Sequence, residues 1–316
     1  MLFYLATYPR SGNSMLQRIL SQNFGQLSSQ VKAGAVAGLA PPEIAGWQIE
    51  LAPEPIPGWE CDVTWNAWTA VHRRSGPGQP WRRHLQPAPL GAFTEDFRRS
   101  LARESTAFFV KTHDRPFDRY FDGEQVLQIV RHPGPAIWSC FRYLSQHALR
   151  SRSKRRFSLP PPTLERIIAG EVQFGGWADY HRAWDEAAGR LGEACWRRSY
   201  DQMVDEQTAF CAELAVRLGL EQVSSHPVSF ESYQRKRPEL DLRGTNDGYE
   251  QFFSRAQLEQ MWRAHGETAD RLGFSPPDIE RAGANEQLAR LSELVELAWR
   301  EARSQQAQSQ RDSSSP

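Results

Sequence analysis

The chain has 316 residues, 40% of them apolar, and balances 38 Lys and Arg against 38 Asp and Glu. That length buries a sizeable core as one large α/β domain or two smaller ones. A formal charge of zero excludes a global field that would draw in nucleic acid or a membrane surface, so any anion must be held by local clusters.

The basic residues are nearly all arginine; Lys32, Lys111, Lys154 and Lys236 are the lysines, which singles out Lys111. Cys61, Cys140, Cys195 and Cys211 form no C-x-x-C pair, which argues against a zinc site or a disulfide framework and fits reduced thiols. The start of the chain has too short an apolar run and too early a charge, at Arg10, for a signal peptide, and no run has the length of a membrane span. The expectation is a soluble, cytoplasmic protein.

In chain order, residues 2–8 read as a short buried strand, apolar and aromatic. Pro9 to Gly12 break it, and from Asn13 onward Met15, Leu16, Ile19 and Leu20 take up helical spacing. Residues 30–90 are rich in Pro, Gly and Trp (Trp47, Trp59, Trp65, Trp68, Trp81) and read as an irregular insertion. Its indoles serve either as plugs over the core or as the lining of an acceptor pocket. Further strands are expected at 107–111, 125–130 and 195–199, with helices at 91–103, 135–148, 177–191, 201–218 and 254–272. Strands alternating with helices predict an α/β fold with a central parallel sheet flanked by helices on both faces. Residues 150–162 form a basic, Ser/Pro-rich loop, either solvated surface or a flap over an anion. The main domain spans 1–275, an amphipathic helix with Leu288, Leu291, Leu294 and Ala298 on one face falls within 276–303, and 304–316 reads as a disordered tail.

Two segments point to anions. Thr7-Tyr8-Pro9-Arg10-Ser11-Gly12-Asn13-Ser14 joins a strand to a helix N-terminus, where backbone N–H groups and the helix dipole favour phosphate. Gly12 lets the backbone come close, Ser11, Asn13 and Ser14 add polar side chains, and Arg10 adds charge. No Gly-Lys pair occurs in the chain, so an ordinary Walker loop is excluded. Further on, Arg131 ends a buried strand, and Ser139 lies about 200° around the next helix from Ile137, off its apolar stripe. An arginine and a serine so placed suit a monophosphate.

These segments resemble the cytosolic sulfotransferases. T-Y-P-R-S-G-N-S is similar to that family's T-Y-P-K-S-G-T-T-W, and V-R-H-P-G-P-A-I-W-S-C-F to its R-N-P-x-D-x-x-V-S-x-Y. Val110-Lys111-Thr112-His113 resembles V-K-T-H, and the stretch from Arg243-Gly244 to Phe253 resembles R-K-G-x-x-G-D-W-x-x-x-F. Weaker echoes stand at Gly175-Gly176-Trp177, Arg198-Ser199-Tyr200 and Ser229-Phe230-Glu231, so the resemblance covers about residues 1 to 275. The chain departs from the pattern with Arg10 for lysine, Met15 for tryptophan, His132 for asparagine, Gly134-Pro135 for a charged pair and Tyr249 for tryptophan.

The resemblance implies a P-loop-NTPase-like sulfotransferase fold. It also implies transfer of a sulfuryl group from 3'-phosphoadenosine 5'-phosphosulfate (PAPS) to a hydroxyl or amine of a small-molecule acceptor, and the tryptophan-rich stretch points to an aromatic or glycosylated one. His113 takes the catalytic base position, and Lys111, two residues away on extended chain, faces the same side and reaches the sulfuryl oxygens. Arg10 holds the 5'-phosphosulfate; its pKa is too high for it to act as an acid. Arg131 and Ser139, joined by Arg243 and Gly244, hold the 3'-phosphate, while Tyr200 and Phe230 sit near the adenine. No metal is implied. Two rivals remain: a small-molecule kinase, which would need a Walker-B-like strand ending in Asp that the chain lacks, and a non-catalytic PAPS-binding protein, which would have no use for Lys111 and His113.

Overall fold

A computed structural model of the chain describes residues 1–24, 26, 28–30, 49–51, 60–65, 68–74, 81–87, 95–103, 107–150, 163–172, 174–229, 246, 248–283, 293–294, 297, 300–301 and 304. They divide into two compact units: Met1–Thr7, Ser11–Val130 and Trp184–Ser229 in the first, Tyr8–Arg10, Arg131–Ala183 and Phe230–Pro316 in the second.

The first unit is built on a parallel sheet. Strand β1 (Leu2–Thr7) is central, flanked by β7 (Phe108–Thr112) and β8 (Glu124–Val130), with β2 (Ser28–Gln30) beyond β7 and β9 (Cys195–Ser199) beyond β8. Every pairing is parallel, Leu2↔Phe108 to Ala6↔Thr112 on one side of β1 and Leu2↔Glu124 to Thr7↔Ile129 on the other. All six residues of β1 are buried. Successive side chains point to opposite faces, so a strand buried throughout is covered on both, as its unbroken apolar sequence foretells. The expected strands are therefore present, with bounds shifted by a residue or less, and 195–199 is reproduced. Parallel order brings the carboxyl ends Thr7, Thr112 and Val130 to one edge of the sheet, and from them the chain runs on into Tyr8, His113 and Arg131.

Residues 30–90 differ from the irregular insertion expected. They carry β3 (Ile49–Leu51), β4 (Glu60–Trp65), β5 (Trp68–Arg74) and β6 (Trp81–Pro87), a second sheet in the order β3-β6-β5-β4. β4 and β5 pair antiparallel from Glu60↔His72 to Trp65↔Trp68, and β5 pairs antiparallel with β6. Their β-branched and aromatic residues favour strands, a signal that the surrounding Pro and Gly obscure.

The helices of the first unit include α1 (Asn13–Asn23), α2 (Glu95–Arg103), α6 (Tyr200–Asp205) and α7 (Gln207–Leu218). The single helix expected over 201–218 is two. Ser199 and Gln202 form a capping box that opens α6, the backbone leaves the helix at Glu206, and α7 starts at Gln207, whose side chain bonds the backbone of Val228.

The second unit contains α3 (Pro133–Arg150), α4 (Leu164–Ile168) and α8 (Arg255–Arg271), with a 3-10 turn at Tyr249–Phe252. Ile137, Cys140 and Phe141 of α3 pack with Leu164, Ile167 and Ile168 of α4, Tyr249 of the turn, Phe253 just after it, and Leu258 and Met261 of α8. α3 begins two residues before the expected 135 because Pro133 fits a first helical turn, whose N–H groups lack intrahelical partners. α4, too short to show a period, was not expected. α5 (Trp177–Leu191) has the expected bounds and runs from the second unit into the first. Of the helix expected over 276–303, Ile279–Arg281 form a 3-10 turn, and Glu293, Leu294, Leu297, Arg300 and Glu301 are helical and exposed. The basic loop 151–162 and most of the tail lie outside the described residues. No helix among the described residues is long and apolar enough to cross a membrane.

At the amino end of the sheet an ion pair is sealed inside the first unit. Arg98 of α2 donates from Nη2 and Nε to the two carboxylate oxygens of Glu124 at 2.7 and 2.8 Å, and both side chains are buried. Tyr4 donates to Glu124 at 2.5 Å, the Phe121 N–H at 2.8 Å, and Arg98 Nη2 reaches the carbonyl of Arg119 at 2.6 Å. The guanidinium lies 3.7 Å from the centre of the Phe117 ring. Burial and the neighbouring carboxylate raise the Tyr4 pKa, so its phenol stays a donor. Every group here is satisfied, and removing one partner strands a buried charge. Arg98→Met is expected to destabilise the fold by about 3–5 kcal/mol in denaturant titration, and the double variant Arg98→Met/Glu124→Leu by less than Arg98→Met alone.

Candidate functional site

The turn from β1 to α1 is tight. Among the described residues Arg10 is the one non-glycine with positive φ, +69°, and Gly12 follows at +104°. A left-handed conformation costs an L-residue about 1–2 kcal/mol, a mark of a backbone held by its surroundings. Glycine is required at position 12 on a second ground: a Cβ there would lie 2.7 Å from Met203 Cε and from Tyr200 Cδ2. The structure thus packs Tyr200, expected near the adenine, against Gly12, and leaves it 4% exposed. Ser11 is fully buried with no hydrogen-bond partner for its hydroxyl. Asn13 donates to Thr7 Oγ1 at 2.9 Å, and its Oδ1 has no partner. Ser14 is exposed in the first turn of α1.

His113 follows β7 in the first unit. Its Nδ1 lies 2.7 Å from the carbonyl oxygen of Thr7, and 3.5 Å from Thr7 Oγ1. A carbonyl oxygen only accepts, so Nδ1 carries the proton, and the neutral ring has its lone pair on Nε2. Thr112 fixes the next turn by accepting the Asp114 N–H at 3.0 Å, and Trp184 donates to the Asp114 carbonyl at 3.3 Å. Lys111 is half-buried on β7, paired in register with Leu5 and Gln30.

In the second unit three expected anion ligands meet directly. Arg10 donates from Nε to Ser139 Oγ at 3.1 Å, and Arg131 donates from Nη1 to the carbonyl of Arg10 at 3.0 Å. Arg131 also donates from Nε to Asn246 Oδ1 at 2.7 Å and is 8% exposed. Its carbonyl accepts from the indole of Trp177 at 3.1 Å. The Arg10 guanidinium stands 5.1 Å from the Tyr143 ring centre. Below it, Tyr8 is fully buried, donates to the Gly175 carbonyl at 3.2 Å and meets Tyr180 edge-on at 5.7 Å. Phe230, Arg243 and Gly244 lie outside the described residues.

Asn246, Tyr143 and the carbonyl of Thr7 were not singled out as functional from the sequence. Asn246 stands in the segment read for Arg243 and Gly244, so position was the available signal; Thr7 contributes a backbone atom, which no residue pattern reveals.

His132, where the resemblance has asparagine, is structural. Its Nδ1 accepts the Gly134 N–H at 3.1 Å, capping α3, and its Nε2 donates to the Ser275 carbonyl at 3.0 Å. Burial and adjacent Arg131 lower its pKa, against the pull of the Ser275 carbonyl. Gly134 has no room for a side chain because the Tyr249 ring occupies that space, which accounts for two of the departures together. Behind Trp177, His265 of α8 is 3% exposed, and burial pushes its pKa down to about 4 despite Asp179 and the Ile168 backbone.

No protein-family model matches the sequence, and no curated protein is a significant sequence match. Solved structures do resemble it. Mouse sulfotransferase SULT7A1 complexed with PAP overlays with a TM-score of 0.43 at 14% identity, covering 92% of this chain and 88% of that one. Retinol dehydratase in a complex with retinol and PAP gives 0.48 at 12% identity over 87% and 83%. The same enzyme with androsterone and inactive cofactor PAP gives 0.46 at 12% over 88% and 83%. Similarity at this level leaves the chemistry of this chain to be argued from its own residues.

The folded protein holds His265 neutral, whereas the unfolded chain takes up its proton near pH 6.5. Stability from this residue is therefore full above about pH 6.5 and declines as the pH falls toward about 4. Melting temperatures recorded across this range should drop with acid in the wild type, and His265→Leu should flatten that slope.

Proposed function

We propose that this chain transfers the sulfuryl group of PAPS to a hydroxyl or amine of a small-molecule acceptor and releases 3',5'-ADP. The observation that carries the reading is that Arg131 and Ser139, assigned from sequence to one anion, each hydrogen-bond Arg10, assigned to the other. Two anion sites whose residues bond one another suit one ligand with two phosphate-level groups.

The reaction is an in-line displacement. The acceptor oxygen attacks sulfur, the bond from sulfur to the bridging oxygen of the 5'-phosphate breaks, and the acceptor proton leaves to a base. His113 is that base in this reading, supported by its Nδ1–H tautomer, which puts the lone pair on Nε2. Thr7, which sets the tautomer, precedes Arg10 by three residues in the loop assigned to the 5'-phosphosulfate. Arg10 and Lys111 offset the charge that grows on the leaving group and the sulfuryl oxygens. Arg10 supplies charge and hydrogen bonds but no proton, so the product leaves as an anion held by fixed cations. The Ser11 hydroxyl, buried without a partner, is a further donor suited to a phosphate oxygen. Arg131 and Ser139, with Arg243 and the backbone of Gly244, hold the 3'-phosphate, and Tyr200 and Phe230 flank the adenine. Charge for the reaction comes from arginine and lysine, without a metal. The acceptor is aromatic or glycosylated, received by the tryptophan-rich part of the chain, and the protein works in the cytoplasm.

Transfer of labelled sulfate from PAPS across phenols, sterols, sugars and peptides tests the activity. Binding without turnover on every acceptor would favour a sensor, and magnesium-dependent use of ATP a kinase. His113→Ala should lower turnover by about 10²-fold or more while 3',5'-ADP affinity stays within about twofold; near-wild-type turnover would remove the base assignment. Arg131→Ala should weaken 3',5'-ADP by about tenfold or more, and adenosine 5'-phosphosulfate much less. Equal losses would show that Arg131 does not serve the 3'-phosphate.

A further inference from the structure

Resting on the assignment of Arg131 to the 3'-phosphate, we propose that Asn246 is a positioning residue that aims the Arg131 guanidinium through a neutral acceptor, fixing its direction without cancelling its charge.

Arg131 is held through its backbone and its side chain alike. Trp177 holds its backbone carbonyl at 3.1 Å, Asn246 Oδ1 takes its Nε–H at 2.7 Å, and the Arg10 carbonyl takes an Nη1–H at 3.0 Å. A planar fork bonded at Nε and at one Nη has its plane and its in-plane rotation fixed together, so the directions of its other N–H groups are set before any ligand arrives. Asn246 Oδ1 and the Arg10 carbonyl oxygen are uncharged acceptors, one from an amide and one from the backbone. That choice is chemical. An aspartate at 246 would bond Nε equally well, and its carboxylate would then compete for the attraction that an incoming phosphate needs. The very next residue in the sequence is Asp247, so the amide stands one position from an acid.

The test compares 3',5'-ADP with 5'-AMP by titration calorimetry on the wild type, Asn246→Ala, Asn246→Asp, Arg131→Ala and the double variant Arg131→Ala/Asn246→Ala. Failure of the wild type to bind 3',5'-ADP would remove the underlying assignment and this proposal with it. Given wild-type binding, Asn246→Ala should weaken 3',5'-ADP about tenfold and 5'-AMP less than about twofold. Asn246→Asp, which keeps the acceptor and so the fold, should weaken 3',5'-ADP at least as much. In the Arg131→Ala background the alanine at 246 should add less than about twofold, because its effect passes through Arg131. In steady-state assays the KM for PAPS should rise by a larger factor than kcat falls. Wild-type affinity in Asn246→Asp would overturn the proposal, as would equal losses for the two nucleotides or an undiminished effect without Arg131. Should Asn246→Ala melt below the assay temperature, Asn246→Asp decides alone.

Discussion

Five residues separate the last residue of β1 from the first of α1, and within them the chain must turn from a strand covered on both faces into a helix. The two left-handed residues in that interval are what make the turn possible. Glycine takes the conformation freely at position 12, but arginine at position 10 carries a cost of about 1–2 kcal/mol. A hydrogen bond from a guanidinium contributes about 1.5–3 kcal/mol, so the bond from Arg131 to the Arg10 carbonyl is one of several contacts that offset this cost. The Arg10 side chain is meanwhile secured to Ser139, and Met203 and Tyr200 close the space where a Cβ at 12 would sit.

The buried polar groups among the described residues fall into two kinds. Some are completed within the protein: His132 uses both ring nitrogens, and the Arg98–Glu124–Tyr4 network satisfies its charges in the interior. Others are built but left open, as with the buried hydroxyl of Ser11. The first kind stabilises, and the second leaves hydrogen-bonding capacity unused. The placement agrees: the closed ion pair lies at the amino end of the parallel sheet, and the Arg10 turn follows directly from its carboxyl end, where open α/β sheets take their ligands.

Much of this was legible in the sequence. Continuous apolar runs such as Leu2–Thr7 announce buried parallel strands, and the strand-end arginine and the serine off the apolar stripe of the next helix marked the pair that meets Arg10. The second sheet was hidden, because the Pro and Gly around Glu60–Trp65 and Trp68–Arg74 outweigh the β-forming residues within them. What no local pattern contains is pairing across long separations. Asn246 meets Arg131 across 115 positions, and its amide reads as a loop residue until the partner is known. His132 looked like a departure within a motif, yet its ring reaches Ser275, 143 residues on, and so fills a role that a shorter side chain cannot.

The bond between His113 and the Thr7 carbonyl has a consequence for the order of assembly. The two residues are 106 apart in the chain and are brought together by parallel pairing of β1 with β7, contacts that form late because a long loop must close first. A slip of one residue in that pairing would turn the carbonyl to the other side and free the imidazole to exchange its tautomers. The protonation pattern of a single ring is thus written by the register of a sheet, and a nascent chain with most of its helices formed would still lack the hydrogen bond that places the proton on Nδ1 of His113.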